Sequence, residues 1–104
     1  MSAGKEHDKE RMEIVIEAIR NERLRQVHVE GWTPEHDDAH RKEDLASAAA
    51  CYALPEWQRR IIGEDNIKWP WPWERSWWKP KDRRRDLIRA AALIVAEIER
   101  IDRP

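Results

Sequence analysis

The chain contains no phenylalanine and only one tyrosine, yet seven tryptophans, among 104 residues. A core built for bulk alone normally draws on Phe, so this aromatic supply needs another explanation. There is one cysteine, Cys51, which excludes an intramolecular disulfide and suits a reducing cytoplasm. The three glycines, Gly4, Gly31 and Gly63, are too scattered to form a phosphate-cradling loop. Ser2, Ser47 and Ser76 stand in no nucleophile context. No run of 18 apolar residues is available to span a membrane, and the start does not read as a signal peptide. Net charge is −1, so no overall basic field draws the chain to nucleic acid.

What is present is charge, and arginine in particular. Asp, Glu, Lys and Arg make up 39% of the residues, and Arg outnumbers Lys 14 to 6. The near-zero net charge hides an acidic segment, Glu30 to Asp44, and a basic one, Arg75 to Arg89. Either the two neutralise each other across the fold or they frame a polar cleft.

The length suits one domain spanning 1–104, with residues 1–8 frayed. Met12, Val15, Ile16, Ile19 and Val27 recur at helical spacing, continued by Arg23, and predict a helix over about Lys9–Val29 stopped by Gly31. On this reading Glu13, Glu17, Arg20 and Glu22 lie mostly outside the apolar stripe. Residues 31–42 read as an ordered loop. A second helix is predicted over about Glu43–Leu54, with Leu45, Ala48, Ala49 and Tyr52 on one face and Pro55 at its end.

Residues 56–80 form a Trp/Pro-rich insert. Glu56 to Ile62 allow a helical turn. Prolines at 70 and 72 forbid a helix and a central strand alike, which leaves extended, polyproline-like backbone with Trp69, Trp71 and Trp73 on roughly one side. The last helix follows Asp82, a capping residue. Its residues Leu87, Ala91, Ile94, Ile98 and Ile101 repeat at 4-3-4-3 spacing and predict packing on the first helix. The fold class is therefore mainly α, a small domain of three to four helices with an extended insert and room for short strands. The aliphatic supply is modest, so a homo-oligomer formed along an exposed helix face is an expected partner arrangement.

Three constellations carry chemistry. Glu35, His36, Asp37 and Asp38, with His28 and His40, are metal-ligand types. They form a local run, however, and Asp37 and Asp38 are read instead as turn or helix caps and arginine partners, with no metal and no cofactor. Cys51 lies among alanines and reads as a buried small hydrophobe. The most suggestive group is the Trp cluster with its arginines. Indole faces stack on nucleobases, while guanidinium groups grip phosphate and ribose oxygens.

Arg25 to Glu30 followed by Gly31-Trp32, then Asp37-Asp38 and Lys42, resembles the ryanodine-receptor repeat (RyR) domain, in which a helix ends in an Arg…Gly-Trp element ahead of acidic residues. Tyr52 to Glu56 is similar to that family's Tyr…Leu-Pro-Glu element, and Lys79, Asp82 and Arg83 to its Lys…Asp-Arg element. Together these cover roughly residues 20–95. The family places the last two elements close together, whereas here residues 57–78, with six of the Trp, come between them. The chain also resembles small phage-encoded proteins with Gly-Trp-Thr-Pro-Glu-His-Asp-Asp and a closing Ala-Glu-Ile-Glu-Arg helix. The resemblance implies a small helical fold with short strands and the binding of nucleotide-derived signals used in defence.

The expected function is thus a phage accessory protein that sequesters a cyclic ADP-ribose-like ligand without catalysis. The ligand-binding candidates are Arg25, Trp32, Asp37, Asp38, Tyr52, Trp69, Trp71, Trp73, Trp77, Trp78, Lys79, Arg83 and Arg84. Two alternatives remain. One is an all-α, magnesium-dependent nucleotide pyrophosphohydrolase drawing on Glu35, Asp37, Asp38, Glu43, Asp44 and Asp86. The other is a protein-binding inhibitor of a host factor that uses the Trp-Pro strip.

Overall fold

The alanine-rich stretch around Cys51 is the centre of the fold. Small side chains let two helices approach closely, and the buried core is Leu45, Ala48, Ala49, Tyr52, Ala90, Leu93 and Ala96. A computed structural model describes residues 3–32, 43–63 and 69–104. Four α-helices appear among them: α1 (Ala3–His28), α2 (Asp44–Ala53), α3 (Glu56–Ile62) and α4 (Arg83–Asp102), with one 3-10 turn at Arg75–Trp77. No strand occurs among the described residues. The molecule is mainly helical, as the patterning implies.

Helix α2 lies along α4, and the C-terminal part of α1 also packs on α4. Cys51 is fully buried. Asp82 caps α4, its carboxylate accepting from the Arg85 N–H at 2.9 Å. Gly31 adopts φ 75°, a conformation that costs other L-residues about 1–2 kcal/mol. There the chain turns back, and the Trp32 N–H donates to the Gln26 carbonyl at 2.8 Å.

Two features depart from the periodicity. The α1 stripe of Met12, Val15, Ile16 and Ile19 continues on the same face as Glu22, Arg23 and Gln26. Those polar residues, Glu22 included, are the buried ones, while residues 4–17 are all exposed. Helix α1 starts at Ala3, so its first half is a projecting arm. The second departure is in α4. Its core side is Asp86, Ile88, Ala90, Ala92, Leu93, Ala96 and Glu97, whereas Leu87, Ile94, Val95, Ile98 and Ile101 are exposed. The 4-3-4-3 repeat therefore marks the face turned away from α1, and the contact with α1 is made by the opposite, smaller and more polar side.

A buried ion pair locks α2, α3 and α4 together. Both Arg59 Nη atoms donate to Asp86 Oδ2 at 3.3 Å. Arg59 also donates to the carbonyls of Cys51 (3.2 Å) and Tyr52 (2.8 Å). Arg83 donates to the carbonyls of Tyr52, Ala53 and Leu54. The carbonyls that the end of α2 leaves without helical partners are thus taken by two guanidinium groups. Asp86 Oδ1 accepts the Lys81 N–H at 2.7 Å.

Candidate functional site

Glu22 is the residue around which the site is built. It is 1% exposed, and its carboxylate accepts two hydrogen bonds from Arg25, at 2.8 and 2.9 Å, one from Gln26 Nε2 at 3.1 Å and one from Arg85. Burial on its own would raise the Glu22 pKa. The hydrogen bonds from Arg25 and Gln26 and the charges of Arg25 and Arg85 outweigh it and hold the carboxyl below the ordinary range. The third Arg25 donor reaches Glu30 at 2.8 Å. Bonding to Glu22 holds the Arg25 guanidinium firmly protonated.

This network forms one wall of a narrow cleft lined by Glu22, Arg25, Gln26, Glu30, Trp32, Tyr52, Trp77, Lys79, Arg89 and Leu93. Its whole interior leaves about 20 Å³ for the centres of water-sized groups, and about 330 Å³ of space lies free of atoms when the open solvent at its mouth is included. Helix α1 supplies Glu22, Arg25 and Gln26, the turn after it supplies Glu30 and Trp32, and α4 supplies Arg89 and Leu93. The segment after the 3-10 turn supplies Trp77 and Lys79.

Two polar atoms of this lining are buried without a hydrogen-bond partner, Gln26 Oε1 and Arg89 Nε. The Gln26 amide orientation follows from chemistry. Glu22 only accepts, so the Gln26 NH2 must face it and the carbonyl oxygen is left over. An unsatisfied buried acceptor costs about 1–3 kcal/mol, so the site gains if a donor is supplied.

The Trp-rich segment flanks this cleft. Trp71 and Trp78 both lie against Tyr52, with ring centroids 5.7 and 4.7 Å away. Trp69 packs on Trp78 at 5.3 Å, Trp71 on Trp73 at 5.4 Å, and Trp73 on Trp32 at 5.6 Å. Trp71 Nε1 donates to the Glu74 carbonyl at 3.0 Å. Trp32, Trp71, Trp73 and Trp78 are half-buried against the helical core, so this part of the segment is a second, aromatic layer of that core. Arg59 lies 5.0 Å from the Trp78 ring. Trp77, by contrast, is 44% exposed, with Lys79 Nζ 5.4 Å from its ring centre.

Tyr52 sits at the junction of the two regions. Its hydroxyl accepts the Lys79 backbone N–H at 3.3 Å, and the Arg89 guanidinium lies 5.7 Å from its ring. Burial raises the phenol pKa, an effect that the Lys79 bond and the Arg89 charge offset only in part.

Of the residues expected to bind ligand, Arg25, Trp32, Tyr52, Trp77 and Lys79 line the cleft. Trp69, Trp71, Trp73 and Trp78 form the adjoining aromatic layer. Arg83 caps α2, and Arg84 stands exposed on the first turn of α4. Asp37 and Asp38 lie outside the described residues, as do Glu35, His36 and His40. Glu22, Gln26, Glu30 and Arg89 were not singled out as ligand-binding residues. The signal for the first two was the point where the apolar stripe of α1 turns polar without losing its register. Among the described residues no three acidic, His or Cys side chains come together as a metal site, and no helix is long and apolar enough to cross a membrane.

The fold and site define a mainly helical protein with a charged, aromatic-rimmed cleft. Comparison with protein families, with curated proteins and with solved structures finds no match.

Proposed function

We propose that this chain binds a small nucleotide-derived ligand in the cleft and sequesters it without chemistry. The observation that carries the reading is the buried, unsatisfied Gln26 Oε1 in a cleft rimmed by an exposed indole and by cations. A flat base lies against Trp77 at the mouth. Lys79 and Arg89 face its phosphate, and a ribose hydroxyl on the floor donates to Gln26 and accepts from Arg89. Three of the RyR-like elements, carrying Arg25 and Trp32, Tyr52, and Lys79, meet at this one cleft. That convergence supports the view that the chain is RyR-like and captures a nucleotide signal of the cyclic ADP-ribose type, and the phage-protein resemblance adds only that it is an accessory protein.

The pyrophosphohydrolase alternative is weaker. Its α4 acid, Asp86, is 1% exposed and committed to Arg59 and to the Lys81 N–H. The reading as a protein-binding inhibitor loses most of its surface, because Trp71 and Trp73 are packed against the core.

Titration calorimetry against a panel of ADP-ribose derivatives and cyclic dinucleotides tests the proposal. At least one should bind with a micromolar or tighter Kd. Lys79→Ala, which removes a charge-assisted hydrogen bond worth about 1.5–3 kcal/mol, should weaken it at least tenfold. An absence of heat from every member at tens of micromolar contradicts the proposal. Pyrophosphate release in the presence of magnesium would favour the enzyme instead.

A further inference from the structure

The two unpartnered atoms of the cleft differ in kind. Gln26 is 1% exposed and its NH2 is fixed on Glu22 at 3.1 Å, so its Oε1 can only accept. Arg89 Nε can only donate, and the Arg89 Nη1 is already turned to the Lys79 carbonyl. One ligand group that meets both must donate and accept at once. A hydroxyl does so. A phosphate monoester at neutral pH is largely without a proton and has none to give to Gln26. Size points the same way. The cleft interior leaves about 20 Å³ for the centres of water-sized groups, close to what a single oxygen needs. A phosphorus with its shell of oxygens does not enter.

Charge is divided along the lining. Around Gln26 the carboxylates of Glu22 and Glu30 are answered by Arg25 and Arg85, which leaves no surplus cation there. Lys79 and Arg89 pair with no carboxylate among the described residues. Lys79 lies over the exposed Trp77 ring and Arg89 over Tyr52. An anionic group is therefore matched beside Lys79 and Trp77, and a neutral one beside Gln26. Resting on the nucleotide reading above, we infer that Gln26 is a specificity-determining residue. It selects ligands whose base-linked ribose presents a free hydroxyl, and the cleft turns away those phosphorylated at that position. Glu22, by taking the Gln26 NH2, fixes which end of the amide meets the ligand.

The test is titration calorimetry of the intact chain with ADP-ribose, and with forms in which the 2′ or the 3′ hydroxyl of the adenosine ribose is removed or phosphorylated. At one of these two positions, removal and phosphorylation should each weaken binding at least tenfold. Gln26→Met keeps the bulk and lacks the acceptor. It should weaken ADP-ribose by the same factor and leave the deoxy form unchanged, which also shows that the variant is folded. If that variant does not fold, the ligand series on the wild-type chain decides alone. Equal affinity for ADP-ribose and for every modified form overturns the inference and leaves the nucleotide reading standing. It is the result expected if a trapped water, and no hydroxyl, sits between Gln26 and Arg89. A folded Gln26→Met chain that binds ADP-ribose as tightly as the wild type overturns it too. So does a failure of ADP-ribose to bind, and the nucleotide reading falls with it only if the whole nucleotide panel is silent.

Discussion

Glu22 and Arg59 show how arginine is used at the scale of single residues. Arg25 spends its guanidinium on the carboxylates of Glu22 and Glu30, and Arg59 spends its own on Asp86 and the carbonyls of Cys51 and Tyr52. Arg59 and Asp86 are both buried, so removing one leaves the other charged and unpaired. Arg59→Ala should therefore cost about 3–5 kcal/mol in chemical denaturation. The double variant Arg59→Met, Asp86→Leu should recover much of that loss, because it leaves no buried charge. Glu22 makes a pH-dependent contribution. Its folded pKa lies below the ordinary 4.5, so its stabilisation is fully present above that value and is lost as pH falls through the depressed folded value. Glu22→Gln should lower the thermal midpoint at neutral pH and flatten its decline in acid. An unchanged acid limb would mean that the carboxylate is not held as described. Tyr52 is the only tyrosine in the chain, so absorbance at 295 nm reports it alone. Its ionisation should fall above the ordinary value of 10, and a midpoint at or below 10 would show that the ring is not packed beneath Trp71 and Trp78.

At the scale of elements, helix positions were legible from spacing, Pro55 and Asp82, but helix faces were not. A stripe of Leu, Ile and Val reads as a core face, yet in α4 the core face is the alanine side. Close approach to α2 requires small residues there, and the larger aliphatics are displaced outward. Helix α1 misleads in the same way, since the residues that contact its own fold are Glu22, Arg23 and Gln26. Around Pro70 and Pro72 the Trp-rich segment was legible as neither helix nor strand, and residues 69–72 are neither. Its division of labour was not legible. Trp71, Trp73 and Trp78 replace the absent Phe as an aromatic layer over Tyr52, and Trp77 alone of that stretch joins the cleft lining. Sequence spacing cannot show this split, because it depends on the 3-10 turn at Arg75–Trp77 that swings Trp77 outward. The cleft residues Gln26 and Arg89 were hidden for a related reason. Their partners lie on other elements, and a missing partner leaves no trace in a sequence.

At the scale of the whole molecule, charges of both signs from distant parts of the sequence come together at the cleft. The cleft gathers Glu30, from the start of the acidic segment, with Lys79 and Arg89 from the basic one. Exposed aliphatic surface lies elsewhere, on the arm and the outer face of α4. Six of the seven Trp thus fall into two groups: Trp69, Trp71, Trp73 and Trp78 form the aromatic layer over the core, and Trp32 and Trp77 line the cleft.

The central claim is that ligand enters the cleft rather than some other part of the aromatic layer. The most direct measurement is the set of seven indole N–H resonances in a nitrogen-15 correlation spectrum, followed during titration with ADP-ribose derivatives. The expected result is a saturable shift of the Trp32 and Trp77 signals, with the exposed Trp57, which does not line the cleft, unmoved. A spectrum in which no indole shifts, or in which Trp57 moves while Trp32 and Trp77 stay still, would contradict it.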